Sequence, residues 1–158
     1  MSTELRINEK NGHVTLDGYQ ITPQTKPDSL PPFFKVGNEM PVQVLRKKIP
    51  CIFASTRVAE EDIEITVDLR FENKELVSVF FELTDKTRDY TDEATYYGSV
   101  VERENLHLLW LKKKLGSPQG KYTSYKWGVV GVAQDRSGGV HVFLHNNNNT
   151  WASGGANA

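Results

Sequence analysis

Apolar and polar residues alternate most strictly from position 63 to 71. Ile63, Ile65, Val67, Leu69 and Phe71 face one way; Glu64, Thr66, Asp68 and Arg70 face the other. Period-two alternation of this kind specifies a β-strand with one buried and one wet face. Glu72-Asn73-Lys74 then reads as a tight turn, and Leu76 to Leu83 as the returning strand. Val77, Val79, Phe81 and Leu83 share one face of that strand, with Phe80 on the other. Upstream, Val42 to Leu45 and Ile49 to Ala54 are predicted strands, with Ala59-Glu60-Glu61-Asp62 as the connecting turn. Leu5-Arg6-Ile7 and His13 to Leu16 flank Asn11-Gly12, which suits a type I′ hairpin turn because both central residues need positive φ. Asp17-Gly18 predicts a second turn and Tyr19-Gln20-Ile21 a short third strand. Near the end, Tyr125 to Ala133 and Val140 to His145 predict a closing hairpin around Asp135-Arg136-Ser137-Gly138-Gly139.

The period changes after position 98. Val101, Leu108, Leu111 and Leu115 recur at helical spacing, with Trp110 at the edge of the stripe. Ser99 and Glu102 match a capping box. Lys112, Lys113 and Lys114 fall where cations oppose the negative end of a helix, Gly116 suits the C′ position, and Pro118 prevents continuation. A helix over 99–115 follows. The stretch from Pro23 to Pro41 holds five prolines and reads as loop, with room for a helical turn from Asp28 or Ser29 docked by Leu30, Phe33 and Phe34. These elements predict an α+β fold: a mainly antiparallel, curved sheet of hairpins with the one principal helix packed on one face. Residues 1–145 form a single domain. Residues 146–158 begin with four asparagines and end in small residues, and are expected to be a disordered tail.

A chain of 158 residues with 38% hydrophobic and 25% charged residues is long enough to bury a core and ordinary for a globular domain. No stretch approaches the roughly 20 apolar residues of a membrane helix. The start carries no apolar run, and the single cysteine, Cys51, cannot form an internal disulfide. The expected setting is a reducing cytoplasm.

Charge is segregated along the chain. Residues 1–58 are net +3, residues 59–104 net −9, and residues 105–158 net +5. The acidic middle offers two candidate partner-binding groups. One is Glu60, Glu61, Asp62, Glu64 and Asp68. The other is Glu82, Asp85, Asp89, Asp92 and Glu93, interleaved with Tyr90, Tyr96 and Tyr97. Acids beside tyrosines suit a basic, partly apolar partner, because charge steers the encounter and aromatic rings anchor it.

Motifs for chemistry are missing. His141 and His145 share a strand face, but four strand residues span about 13 Å, too far for one zinc ion to bridge. There is no Cys-x-x-Cys, no His-Glu-x-x-His, no Gly-x-Ser-x-Gly elbow and no glycine-rich phosphate loop. No metal, cofactor or catalytic residue is therefore expected. Arg46-Lys47-Lys48 and Lys112-Lys113-Lys114 are short basic runs in a chain of net charge −1, which makes nucleic acid an unfavoured partner.

Trp127-Gly128, the Asp135–Gly139 turn and Val140-His141-Val142-Phe143-Leu144 together resemble the strand–turn–strand ending of small bacterial cytoplasmic proteins of the toxin-immunity type. The run from Gly12 to Ile21 is similar in style to their openings. The resemblance implies a non-enzymatic inhibitor of a basic toxin or nuclease, and its turns and strands carry over no functional residues. A small-ligand-binding or hydrolytic domain with a cavity between helix and sheet is the alternative, and a homodimer formed through a sheet edge is a third possibility.

Overall fold

The computed structural model describes residues 4–88, 92–117 and 119–148. Three short strands, β1 (Leu5–Ile7), β2 (Val14–Leu16) and β3 (Tyr19–Ile21), form a small antiparallel sheet in chain order. The large sheet contains β4 (Lys35–Val36), β5 (Met40–Val44), β6 (Lys47–Glu60), β7 (Ile63–Glu72), β8 (Glu75–Asp85), β9 (Tyr122–Tyr125), β10 (Gly128–Gln134) and β11 (Val140–Asn146). Its order is β4-β6-β7-β8-β11-β10-β9, with β5 also paired to β6, and every pair is antiparallel. The sheet does not close into a barrel. Two helices, α1 (Glu93–Gly98) and α2 (Val100–Leu115), sit between β8 and β9 in the chain. The fold is α+β, as the patterning predicts. No helix among the described residues is long and apolar enough to cross a membrane.

One core joins the layers. Ile65, Val67, Leu69 and Phe71 of β7 meet Val79, Phe81 and Leu83 of β8, Trp110, Leu111 and Leu115 of α2, and Leu5, Ile7, Val14 and Leu16 of the small sheet. Each such side chain is worth about 1.5–3 kcal/mol when removed from water.

Several local readings change in three dimensions. Between Arg70 and Phe71 the ladder slips: Arg70 faces Ser78 but Phe71 faces Leu76. Val77 is the extra residue of this bulge, so Leu76 takes the inward place expected of Val77. The first hairpin spans Asn8 to His13, closed by Asn8 N–H to the His13 carbonyl at 2.9 Å. Only Gly12 there has positive φ (73°), so the two-residue type I′ turn at Asn11-Gly12 is not formed. The loop instead wraps Trp127, whose Nε1–H donates to the Glu9 carbonyl at 2.8 Å. The helical turn in the proline-rich stretch is Pro27–Ser29, not a helix from Asp28. Strand β6 runs on to Glu60, so only Glu61-Asp62 turns. The final run divides into β9 and β10 at Lys126-Trp127. Strand β11 continues through Asn146, and Asn146 and Asn148 both donate from Nδ2 to the Leu76 carbonyl. Asn146 and Asn148, expected in the tail, are thus held against β8, and residues 149–158 lie outside the described residues.

Helix α2 begins as expected but is rotated about its axis. Its buried residues are Arg103, His107, Trp110, Leu111 and Leu115, whereas Val101 is 69% exposed. The Ser99 hydroxyl does not cap the helix. It donates to the Tyr96 carbonyl at 2.8 Å and accepts from Arg103 Nε at 2.9 Å, while Glu102 pairs with Arg88. Helix α1, capped by the Asp92 carboxylate on Ala94 N–H, is an element the apolar pattern does not show.

The β7–β8 turn does need two positive-φ residues, Asn73 (52°) and Lys74 (66°). Asparagine tolerates this geometry; a lysine there costs about 1–2 kcal/mol. Lys74→Gly should remove that strain at an unfolded-state entropy cost of about 0.4–1 kcal/mol. A net gain of up to about 1 kcal/mol is expected in urea unfolding, and a lower midpoint would contradict it.

Candidate functional site

The face of the large sheet turned away from α2 gathers what the sequence keeps apart. Strand alternation puts Glu64, Thr66, Asp68 and Arg70 of β7 there. The β7–β8 register places Asp68 opposite Phe80, Thr66 opposite Glu82, and Glu64 opposite Thr84. Glu82 is therefore the diagonal neighbour of both Glu64 and Asp68, at about 7–8 Å between backbones. Glu64 and Asp68 of one acidic group and Glu82 of the other, separated in the chain, meet on one surface. The Asp135 turn adds a fourth carboxylate. Burial first, then the charges of Asp68 and Asp135, push the Glu82 carboxyl above its ordinary range.

Asp135 itself is anchored. Its Oδ1 accepts from Ser137 N–H (2.9 Å), Ser137 Oγ–H (2.6 Å) and Gly139 N–H (2.8 Å), and these bonds hold its pKa below the ordinary value. His141 lies close to this group, and burial keeps its imidazole neutral more strongly than Asp135 and Asp68 favour its cation. An aromatic strip continues along the face. Phe80 meets His141 and His145 edge-on at 5.6 and 5.8 Å, and His145 stacks on Phe143 at 4.8 Å.

Beside Glu82 the sheet opens. The β8–β11 ladder ends at Phe81–Val142, so the next backbone groups of β8 need other partners. The His107 ring fills the gap from α2. Its Nε2 accepts from Leu83 N–H at 3.0 Å and its Nδ1–H donates to the Arg103 carbonyl at 2.6 Å. Arg103 clasps the adjoining loops, donating to Ser99 Oγ, the Gly138 carbonyl and the Tyr96 carbonyl, with its guanidinium 4.2 Å over the Tyr96 ring. A pocket of about 200 Å³ remains, lined by Glu82, Leu83, Thr84, Tyr96, Arg103, His107, Gly139 and Val140. It lies below the roughly 300–1,000 Å³ of small-molecule sites, and the polar atoms of His107 are spent on the fold.

The remaining candidate residues divide as follows. Tyr96 borders the same pocket, and exposed Tyr97 packs edge-on against it at 5.5 Å. Glu60 points to the opposite side of the sheet, where it takes Trp110 Nε1–H and Lys114 Nζ. Glu61 and Asp62 occupy the exposed β6–β7 turn. Asp85 accepts from Thr87 in the turn after β8, and Asp92 caps α1. Asp89 and Tyr90 lie outside the described residues, and of Glu93 only the backbone is described. Asp135 and His141 belong with the acidic face although sequence reasoning placed neither there; the Asp-x-Ser-Gly-Gly turn was the available signal. Among the described residues no cluster of three His, Cys, Asp or Glu side chains can hold a metal ion. No protein family, no curated protein and no solved structure matches this chain.

Proposed function

We propose that this chain is a non-enzymatic protein-binding domain, and more narrowly a bacterial cytoplasmic inhibitor of the immunity type. It would hold a basic, partly apolar surface of a toxin or nuclease on the face formed by Glu64, Asp68, Glu82 and Asp135. One observation carries this reading: the β7–β8 register brings Glu64, Asp68 and Glu82 onto one face, where burial first, then the charges of Asp68 and Asp135, raise the Glu82 carboxyl. Arg57, 3.7 Å from Glu64, and Arg103, which favours the charged Glu82, offset only part of this negative field, and a partner's lysine or arginine would relieve the rest. Such a field speeds encounter with a basic cleft. Tyr96 and Tyr97, at the edge of the acids, supply rigid anchoring area.

The test begins with tagged protein drawn from lysate of the cells that produce it, at low and moderate salt. One stoichiometric basic protein, released as salt rises, is expected. Stopped-flow association with that purified protein then compares wild type with Glu64→Lys/Asp68→Lys. The variant should associate at least tenfold more slowly and with a weaker salt dependence. Equal rates and salt slopes would remove this face from the mechanism.

A further inference from the structure

Strand pairing fixes which side chains are neighbours at the middle of the acidic face. Asp68 stands directly opposite Phe80 across the β7–β8 ladder. Residues so placed have Cβ atoms about 4.5–5.5 Å apart. Glu82 is the next residue on the same face of β8, about 7 Å along the strand. Asp68, Phe80 and Glu82 therefore form a triangle, with the phenyl ring beside both carboxylates. Phe80 and Asp68 are half-buried and Glu82 is exposed, so all three are open to a partner. His141 and His145 meet the phenyl ring at steep angles of 77° and 79°, so neither stacks on it. Both imidazoles are held neutral first by burial and put no charge beside the ring.

These two carboxylates differ from the acids around them. Glu64 lies 3.7 Å from Arg57, Glu72 pairs with Arg70 at 2.9 Å, and Asp135 is tied into its own turn. Among the described residues neither Asp68 nor Glu82 takes a hydrogen bond or an ion pair. Their cross-strand and diagonal neighbour Thr66 is uncharged, and Arg103 favours the Glu82 charge without bonding to it. A partly buried carboxylate without a partner is costly. One cation set among the three side chains would satisfy both acids and rest on the phenyl face.

We infer that Asp68, Phe80 and Glu82 form the subsite for one arginine side chain of the partner protein. The planar guanidinium stacks on Phe80, and its fork of N–H donors reaches a carboxylate on each of two sides. A lysine fits less well. Its ammonium is a compact, strongly hydrated point charge that cannot lie flat on the ring. The inference rests on the reading of this face as partner-binding, and it names the residue type that anchors the partner there.

The test titrates acetyl-Gly-Arg-Gly-amide into the whole protein and follows backbone amides by NMR, beside the same peptide with lysine or with uncharged citrulline. The arginine peptide should shift the amides of Asp68, Phe80 and Glu82 to saturation. Glu61 and Asp62, acids of the exposed β6–β7 turn, should stay in place. The lysine peptide should bind about threefold more weakly, and the citrulline peptide should give no saturable shift. Glu82→Gln, an exposed change, should weaken the arginine peptide about threefold, and Phe80→Leu should erase the preference for arginine over lysine. Equal binding of the arginine and lysine peptides, equal shifts at Glu61 and Asp62, or indifference to Glu82→Gln would each overturn the inference. The probe is not the partner, so the two readings fail separately. A salt-released basic protein from lysate with a silent titration would overturn the arginine subsite and leave the inhibitor reading standing; an arginine-specific titration without such a protein would do the reverse.

Discussion

Replacing His107 with alanine should destabilise the fold by about 3–5 kcal/mol. The ring is 1% exposed and fills the place where β8 and β11 part. Truncation leaves a cavity, which costs about 2–5 kcal/mol for large buried side chains. It also orphans the Leu83 N–H, and an unsatisfied buried donor costs about 1–3 kcal/mol. The two penalties overlap where water enters the new space. The Arg103 carbonyl suffers less, because it keeps its place in the helical ladder. Chemistry and volume separate by comparison: His107→Gln returns an acceptor near Leu83, whereas His107→Leu returns bulk alone. Urea unfolding should rank them wild type, Gln, Leu, Ala. If leucine equals glutamine, the hydrogen bond to Leu83 is not what holds the gap.

That histidine also shows where sequence reading stops. Strands β7 and β8 were legible because their inward residues are uniformly apolar and their turn is local. The bulge at Val77 was not, since it depends on how two strands pair rather than on either alone. On α2 the apolar stripe pointed toward Val101, yet Val101 and Leu109 face solvent. Arg103 and His107 occupy the buried face instead. Each is polar by type and buried only because Ser99, Tyr96, Gly138 and Leu83 satisfy it. Periodicity cannot see partners 24 or 35 residues away. The acidic face was half legible for the same reason. Glu64 and Asp68 share a face by alternation alone, but their meeting with Glu82 requires the β7–β8 register. Asp135 and His141 arrive only through the pairing of β11 with β8, and Glu60 leaves because a lysine and a tryptophan claim it from the other side.

Acid should weaken this protein before its ordinary carboxylates titrate. The imidazoles of His107 and His145 are both lowered to about 4, first by burial. Around His107 the charges are Arg103 and His141; around His145 they are Arg70 and His141, and all of them disfavour a further cation. In the unfolded chain a histidine titrates near 6.5. The unfolded state therefore binds more protons between about pH 6.5 and 4, so stability is complete above that window and falls as pH drops through it. For His107 alone the difference corresponds to about 3 kcal/mol. His145, less deeply covered, acts in the same direction, as does His141, whose pKa is also lowered. Glu82 opposes them. Its folded carboxyl holds a proton more tightly than the unfolded one, so protonation there favours the fold. Asp85 and Asp135 have lowered values, and their losses come only below the ordinary carboxylate range. The urea midpoint should thus decline from pH 6.5 to 4.5, with a slope above one proton. His107→Gln should cut that slope by about one proton even though its absolute stability is lower. A midpoint that stays level across this range would mean that His107 can be protonated in place, and that the gap between β8 and β11 tolerates a cation its geometry gives no room to solvate.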